Sequence, residues 1–163
     1  MSRAPVDPPE DMLAVPRVQQ ETDYSCGAAA LLAIFRFWDV DGGATEADLY
    51  DDIDTTERDG TAPEAMAEEA EARGLKSNFR DEVTVDDLRD AITAGYTVVL
   101  NIQADEPDEE TSGHYVVAVA VDDQRVWFMD PSSGDYESMR IDELEQRWHD
   151  GGMDNAALFI SGD

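Results

Sequence analysis

The chain has 163 residues, the length of one ordinary domain, and a chain of that size buries roughly two thirds of its unfolded surface. Apolar residues make up 42 %, a globular composition, yet 39 acidic residues against 11 basic ones leave a formal charge of −28. Such a surface repels phosphate, which argues against nucleic acid or an anionic membrane as partner. The single cysteine forbids an internal disulfide.

The charge carries a second message. Lys76 is the only lysine, beside ten arginines. Carboxylates hold water and cations, and arginine pairs more firmly than lysine. We read this as adaptation to molar salt, where screening acts within roughly 3 Å and removes most of the self-repulsion. The fold is then expected to loosen below about 0.5 M salt; a circular dichroism spectrum unchanged down to millimolar salt would refute this. Residues Met1 to Met12 contain no apolar stretch of the signal-peptide kind. The longest apolar run, Ala28 to Phe35, is too short to span a membrane. The expected location is a high-salt cytosol.

Pro5, Pro8 and Pro9 make residues 1–12 a flexible arm, leaving residues 13–163 as one domain. Leu13 to Gln20 reads as an extended lead-in. Cys26 to Trp38, CGAAALLAIFRFW, is apolar on nearly every face and predicts a buried central helix, with Ser25 as its N-cap. Capping boxes open three more helices: Thr45 with Asp48, Thr61 with Glu64, and Thr84 with Asp87. The second of these stops at Gly74 and the third at Gly95. Strands follow at Tyr96–Gln103, His114–Val121, Arg125–Met129 and Tyr136–Met139. A short helix at Ile141–His149 and a strand at Ala157–Ile160 close the chain. Helices first and strands afterwards imply an α+β domain with an antiparallel sheet packed on helices.

The chemistry concentrates around QQETDYSCGAAALL. A cysteine at a helix N-terminus feels about half a positive charge from the helix dipole, which favours thiolate. Gly27 leaves room for a substrate backbone. The Gln20 amide, on the extended segment six residues upstream, can reach over Cys26. With the Cys26 backbone N–H it would form a two-donor oxyanion hole. A thiol nucleophile needs a base, and the chain has two histidines. His149, in WHDGG, looks like a solvated helix end. His114 opens a predicted central strand, directly after the acidic stretch Asp105 to Glu110. Asp130 ends the next strand, so a hairpin of the two sets His114 and Asp130 at its open end, where a carboxylate can orient an imidazole.

Each residue has a bland reading as well. A lone cysteine is commonly a small buried hydrophobe, a lone histidine a structural one, and Asp130-Pro131 a turn. The segment DVDGG, Asp39 to Gly43, is a poor calcium loop, because position twelve is Tyr50. It is Gln20, Cys26, Gly27, His114 and Asp130 in one register that points to a catalytic site.

That register, with Cys-Gly six residues after Gln20, then HYVVAV, then Asp-Pro sixteen residues after His114, resembles the C39 peptidase family. The resemblance runs from about Val15 to Ile160. It implies a papain-like cysteine peptidase fold, in which a buried N-terminal helix carrying the cysteine packs on an antiparallel sheet carrying His and Asp. It implies Cys26 as nucleophile, His114 as general base and acid, Asp130 as orienter and Gln20 as oxyanion donor. No metal or organic cofactor is implied, and the partner is a peptide or protein substrate. Transporter-linked members usually have Asp directly before the cysteine; Ser25 stands here, which is closer to the free-standing members. Association with an exporter is therefore left open. Two other readings remain, a Cys–His–Asp acyl transferase of the transglutaminase kind and a peptide-binding module that turns nothing over.

Overall fold

The computed structural model describes residues 12–20, 26–52, 63–102, 114–131, 133–149 and 156–162. Residues 1–11 of the arm, Ser25, Thr61 and the acidic stretch Asp105 to Glu110 lie outside them, as do the side chains of His114 and His149.

A helix that is apolar all round has to be enclosed all round. In α1 (Cys26–Phe37), Gly27 to Phe35 are all buried. The helix lies on the sheet and is covered by α2 (Glu46–Asp52) and α3 (Pro63–Ala72). Its far end is pinned by Arg73. That guanidinium stacks 4.6 Å from the Phe35 ring centroid and donates to the Val40 and Asp41 carbonyls at 2.9 and 3.1 Å. Two of the expected capping boxes are formed. Thr45 N donates to Asp48 Oδ2 at 2.8 Å, and Asp48 N to Thr45 Oγ1 at 3.3 Å. Thr84 and Asp87 make the same reciprocal pair, at 3.1 Å each way, ahead of α4 (Val85–Thr93).

Among the described residues six strands form one antiparallel sheet in the order β1-β6-β2-β3-β4-β5. They are β1 (Lys76–Arg80), β2 (Thr97–Ile102), β3 (His114–Val121), β4 (Arg125–Asp130), β5 (Asp135–Arg140) and β6 (Ala157–Ser161). The strand β1 is absent from the sequence reading, because KSNFR is polar and four of its five residues are exposed. It is an edge strand, where solvated side chains are the rule. The strand latest in sequence, β6, is inserted between β1 and β2.

Alternation along the central strands feeds two cores. Val99, Val117, Trp127, Met129, Leu158 and Ile160 join α1 and α3 on one face. Val98, Leu100, Val116, Ala118, Phe128 and Phe159 join α4 and α5 (Ile141–His149) on the other. Helices thus cover both faces. Trp127 and Phe128 are both buried, one in each core. A bulge between Ala118 and Ala120 interrupts the alternation, and Val119 and Ala120 both enter the α1-side core.

Candidate active site

Cys26 is the first residue of α1 and is half-buried, whereas the residues after it are sealed inside. At its N-terminal end the central helix therefore reaches the surface through the thiol. The Sγ accepts a hydrogen bond from the Tyr115 N–H at 3.5 Å. This is the peptide that joins His114 to Tyr115, so the thiol stands against the backbone at the start of β3. His114 itself opens β3, with Ile102 of β2 as its Cα partner.

The β3–β4 ladder explains how the sulfur comes to be there. Pairing runs from Val121 opposite Val126 to Val117 opposite Met129. Continued in the same register, it would set Tyr115 opposite Pro131. That rung is not made. The Tyr115 N–H goes to Cys26 Sγ, and the Pro131 carbonyl accepts from the Gln20 N–H at 2.8 Å. The bonds of that rung go instead to Cys26 of α1 and to Gln20 of the lead-in. On its other edge β3 stays paired, with Tyr115 opposite Asn101 of β2.

Asp130 is the half-buried last residue of β4, at the same open end. Its carbonyl accepts from the N–H groups of Ser133 and Gly134 at 3.2 and 2.8 Å, closing the turn into β5. Gly134 has φ +67°, and a Cβ there would lie 2.6 Å from Gln19 Cβ. Only glycine lets the Gln19–Gln20 segment cross this turn so closely. The lead-in is also fastened by Tyr136, whose hydroxyl donates to the Val15 carbonyl. The Gln20 side-chain Oε1 is buried.

Tyr115 lies within the HYVVAV motif, and its residue type alone assigns it no role. Its side chain is half-buried and packs on the α1-side core. Burial pushes its phenol well above the ordinary tyrosine range, and the neighbouring charges of Cys26 and Glu64 push it the same way.

Among the described residues no group of three or more His, Cys, Asp or Glu could hold a metal ion. A groove of about 650 Å³ lies between β1 and α4, lined by Lys76, Asn78, Arg80, Tyr96 and Phe159 among others, but without cysteine or histidine. It offers no thiol nucleophile and no imidazole base. No described helix is long and apolar enough to cross a membrane.

A half-buried cysteine thus heads the central helix and stands against the first residues of a sheet strand. The Peptidase_C39 like family model matches residues 12–153, and the chain belongs to that family. The peptidase domain of Streptococcus ComA, a bifunctional ABC transporter involved in quorum sensing, superposes with a TM-score of 0.74 at 18 % identity, covering 91 % of this chain and 99 % of that one. A double glycine motif protease from an AMS/PCAT transporter, in complex with its leader peptide, gives 0.70 at 15 % identity over 93 % and 95 % of the two chains. A protein of Bacillus anthracis assigned as a C39-like peptidase gives 0.67 at 18 % identity, over 89 % and 94 %. At these identities the likeness establishes the α+β, papain-like fold. A comparison with curated protein sequences finds no significant match.

Proposed function

We propose that the protein is a cysteine peptidase-type hydrolase that cleaves a peptide or amide bond through a thioester on Cys26. One observation carries this reading: the Cys26 sulfur, at a helix N-terminus, meets the His114–Tyr115 peptide at the split end of the β3–β4 ladder, where Gln20 and Asp130 also arrive. Helix dipole and N–H donor both favour thiolate there.

In this mechanism His114 takes the thiol proton, and the Cys26 thiolate attacks the scissile carbonyl. The tetrahedral oxyanion is held by the Gln20 side-chain amide and the Cys26 N–H. Its collapse breaks the C–N bond, and His114 protonates the leaving amine. Water, deprotonated by His114, then adds to the thioester, and the C–S bond breaks to release the acid and restore the thiolate. Asp130 orients the imidazole. No step calls for a metal or organic cofactor. The substrate is a peptide or protein, as the bound leader peptide of one structural neighbour suggests. The acidic composition fits a high-salt cytosol, and docking to an exporter is compatible with the fold.

The test is a mixed synthetic peptide library, incubated with the protein in molar KCl and read by mass spectrometry. Cleavage that disappears in Cys26→Ala supports hydrolysis. Products carrying an added amine in place of water would make the protein an acyl transferase. Peptide binding that is equal in wild type and Cys26→Ala, with no product, would make it a binding module.

A further inference from the structure

We propose that residue 115 is a positioning residue for the nucleophile: its main-chain N–H, released from the β3–β4 ladder, fixes the Cys26 sulfur and stabilises its thiolate. This rests on the reading of Cys26 as nucleophile.

A strand N–H is ordinarily consumed by the neighbouring strand. Here the opposing carbonyl would be that of Pro131, and Gln20 N–H has taken it at 2.8 Å. The Tyr115 N–H goes to sulfur instead, at 3.5 Å. Two features make it a stiff donor. Pairing with Asn101 holds β3 from its other edge, and the Tyr115 ring is packed on the α1-side core. The sulfur thus lies between two backbone donor systems that need no side-chain rotation, the α1 N-terminus and the β3 peptide. A hydrogen bond to an ionised acceptor is about twice as strong as one to a neutral acceptor. The N–H therefore favours thiolate over thiol, and thiolate over the thioester sulfur. It meets the electron pair that returns to sulfur when the C–S bond breaks in deacylation. Gln20 consequently serves twice: its side chain at the proposed oxyanion, and its main chain at the Pro131 carbonyl, the group that the strand register would set opposite Tyr115.

The direct test needs no substitution at residue 115. In 15N-labelled protein in molar KCl, the Tyr115 amide resonance should move with pH along the same curve as iodoacetamide alkylation of Cys26. The movement should vanish in Cys26→Ala. An amide that stays flat through the thiol titration would overturn the proposal. Substitution gives a second readout. Tyr115→Pro deletes the N–H, whereas Tyr115→Ala deletes the ring and keeps the N–H. The Pro variant should alkylate about tenfold more slowly on the acid limb, a shift of about one pH unit, and the Ala variant should shift less. Equal shifts in the two would also overturn it. Failure of the functional reading looks different: the amide would still track the thiol while no peptide is cleaved.

Discussion

At the closed end of the β3–β4 hairpin the main chain satisfies itself. Asp122 N–H donates to the Arg125 carbonyl at 3.0 Å, and the Asp122 carboxylate accepts from the N–H groups of Gln124 and Arg125 at 2.8 and 2.7 Å. At the open end, the groups that would form the rung beyond Val117 and Met129 are given to Cys26 and Gln20 instead. The same two strands therefore hold a finished turn at one end and a thiol with its neighbours at the other. The proposed site lies where the ladder is left incomplete, and the two main-chain groups of the missing rung are re-partnered there rather than lost.

The contrast can be broken from either end. The largest effect is expected at Cys26→Ala, which should abolish peptide cleavage in the mass-spectrometric assay while leaving thermal stability nearly unchanged, since the side chain is only half-buried. Gln20→Ala should lower the cleavage rate roughly 10²- to 10³-fold by removing one oxyanion donor; a wild-type rate would show that the oxyanion is held elsewhere. Gly134→Ala attacks the open end through its geometry. A Cβ there meets Gln19 at 2.6 Å on a backbone with φ +67°. A destabilisation of about 1–3 kcal/mol is expected in chemical denaturation, with a fall in kcat as Gln20 is displaced.

The closed end supplies the contrast case. Asp122→Ala removes two acceptor contacts from an exposed turn and should cost about 1 kcal/mol, with the cleavage rate unaltered. A rate loss matching that of Gly134→Ala would mean that the two ends are mechanically one unit. Smallest is the acid response of the α4 cap. The Thr84 backbone N–H holds the Asp87 carboxyl below the ordinary aspartate value of 3.8, with smaller help from the Thr84 hydroxyl and Arg80. Because the folded value is the lower one, the stabilisation is present above the ordinary value and fades as pH falls through the folded one. The stability difference between wild type and Asp87→Asn should be constant above about pH 5 and shrink only on the acid side.

Much of this was legible from residue types. The apolar run from Gly27 to Phe35 dictates an enclosed helix, and β-branched and aromatic runs mark β2, β3, β4 and β6. Polar KSNFR hid β1, since an edge strand need not alternate. The insertion of β6 between β1 and β2 hid the full sheet order, because nothing local to Ala157–Ser161 specifies its partners. At the site, Gln20, Cys26, His114 and Asp130 could be named from motif spacing. The Tyr115 N–H and the Pro131 carbonyl could not, since a main-chain group has no residue code and only the strand register shows which rung is missing. Gly134 gave a turn signal, but its close approach to Gln19 needed the packed chain.

The proposed chemistry depends on the ionisation of Cys26, the one cysteine of the chain. Its alkylation by iodoacetamide should be followed against pH in molar salt, for wild type and His114→Ala. A fast reaction that persists below about pH 6 in wild type, far under the ordinary thiol value near 8.5, and that is lost in the variant, is the predicted result. A slow reaction in wild type with an ordinary thiol profile would contradict it, and would leave a family fold with an idle cysteine.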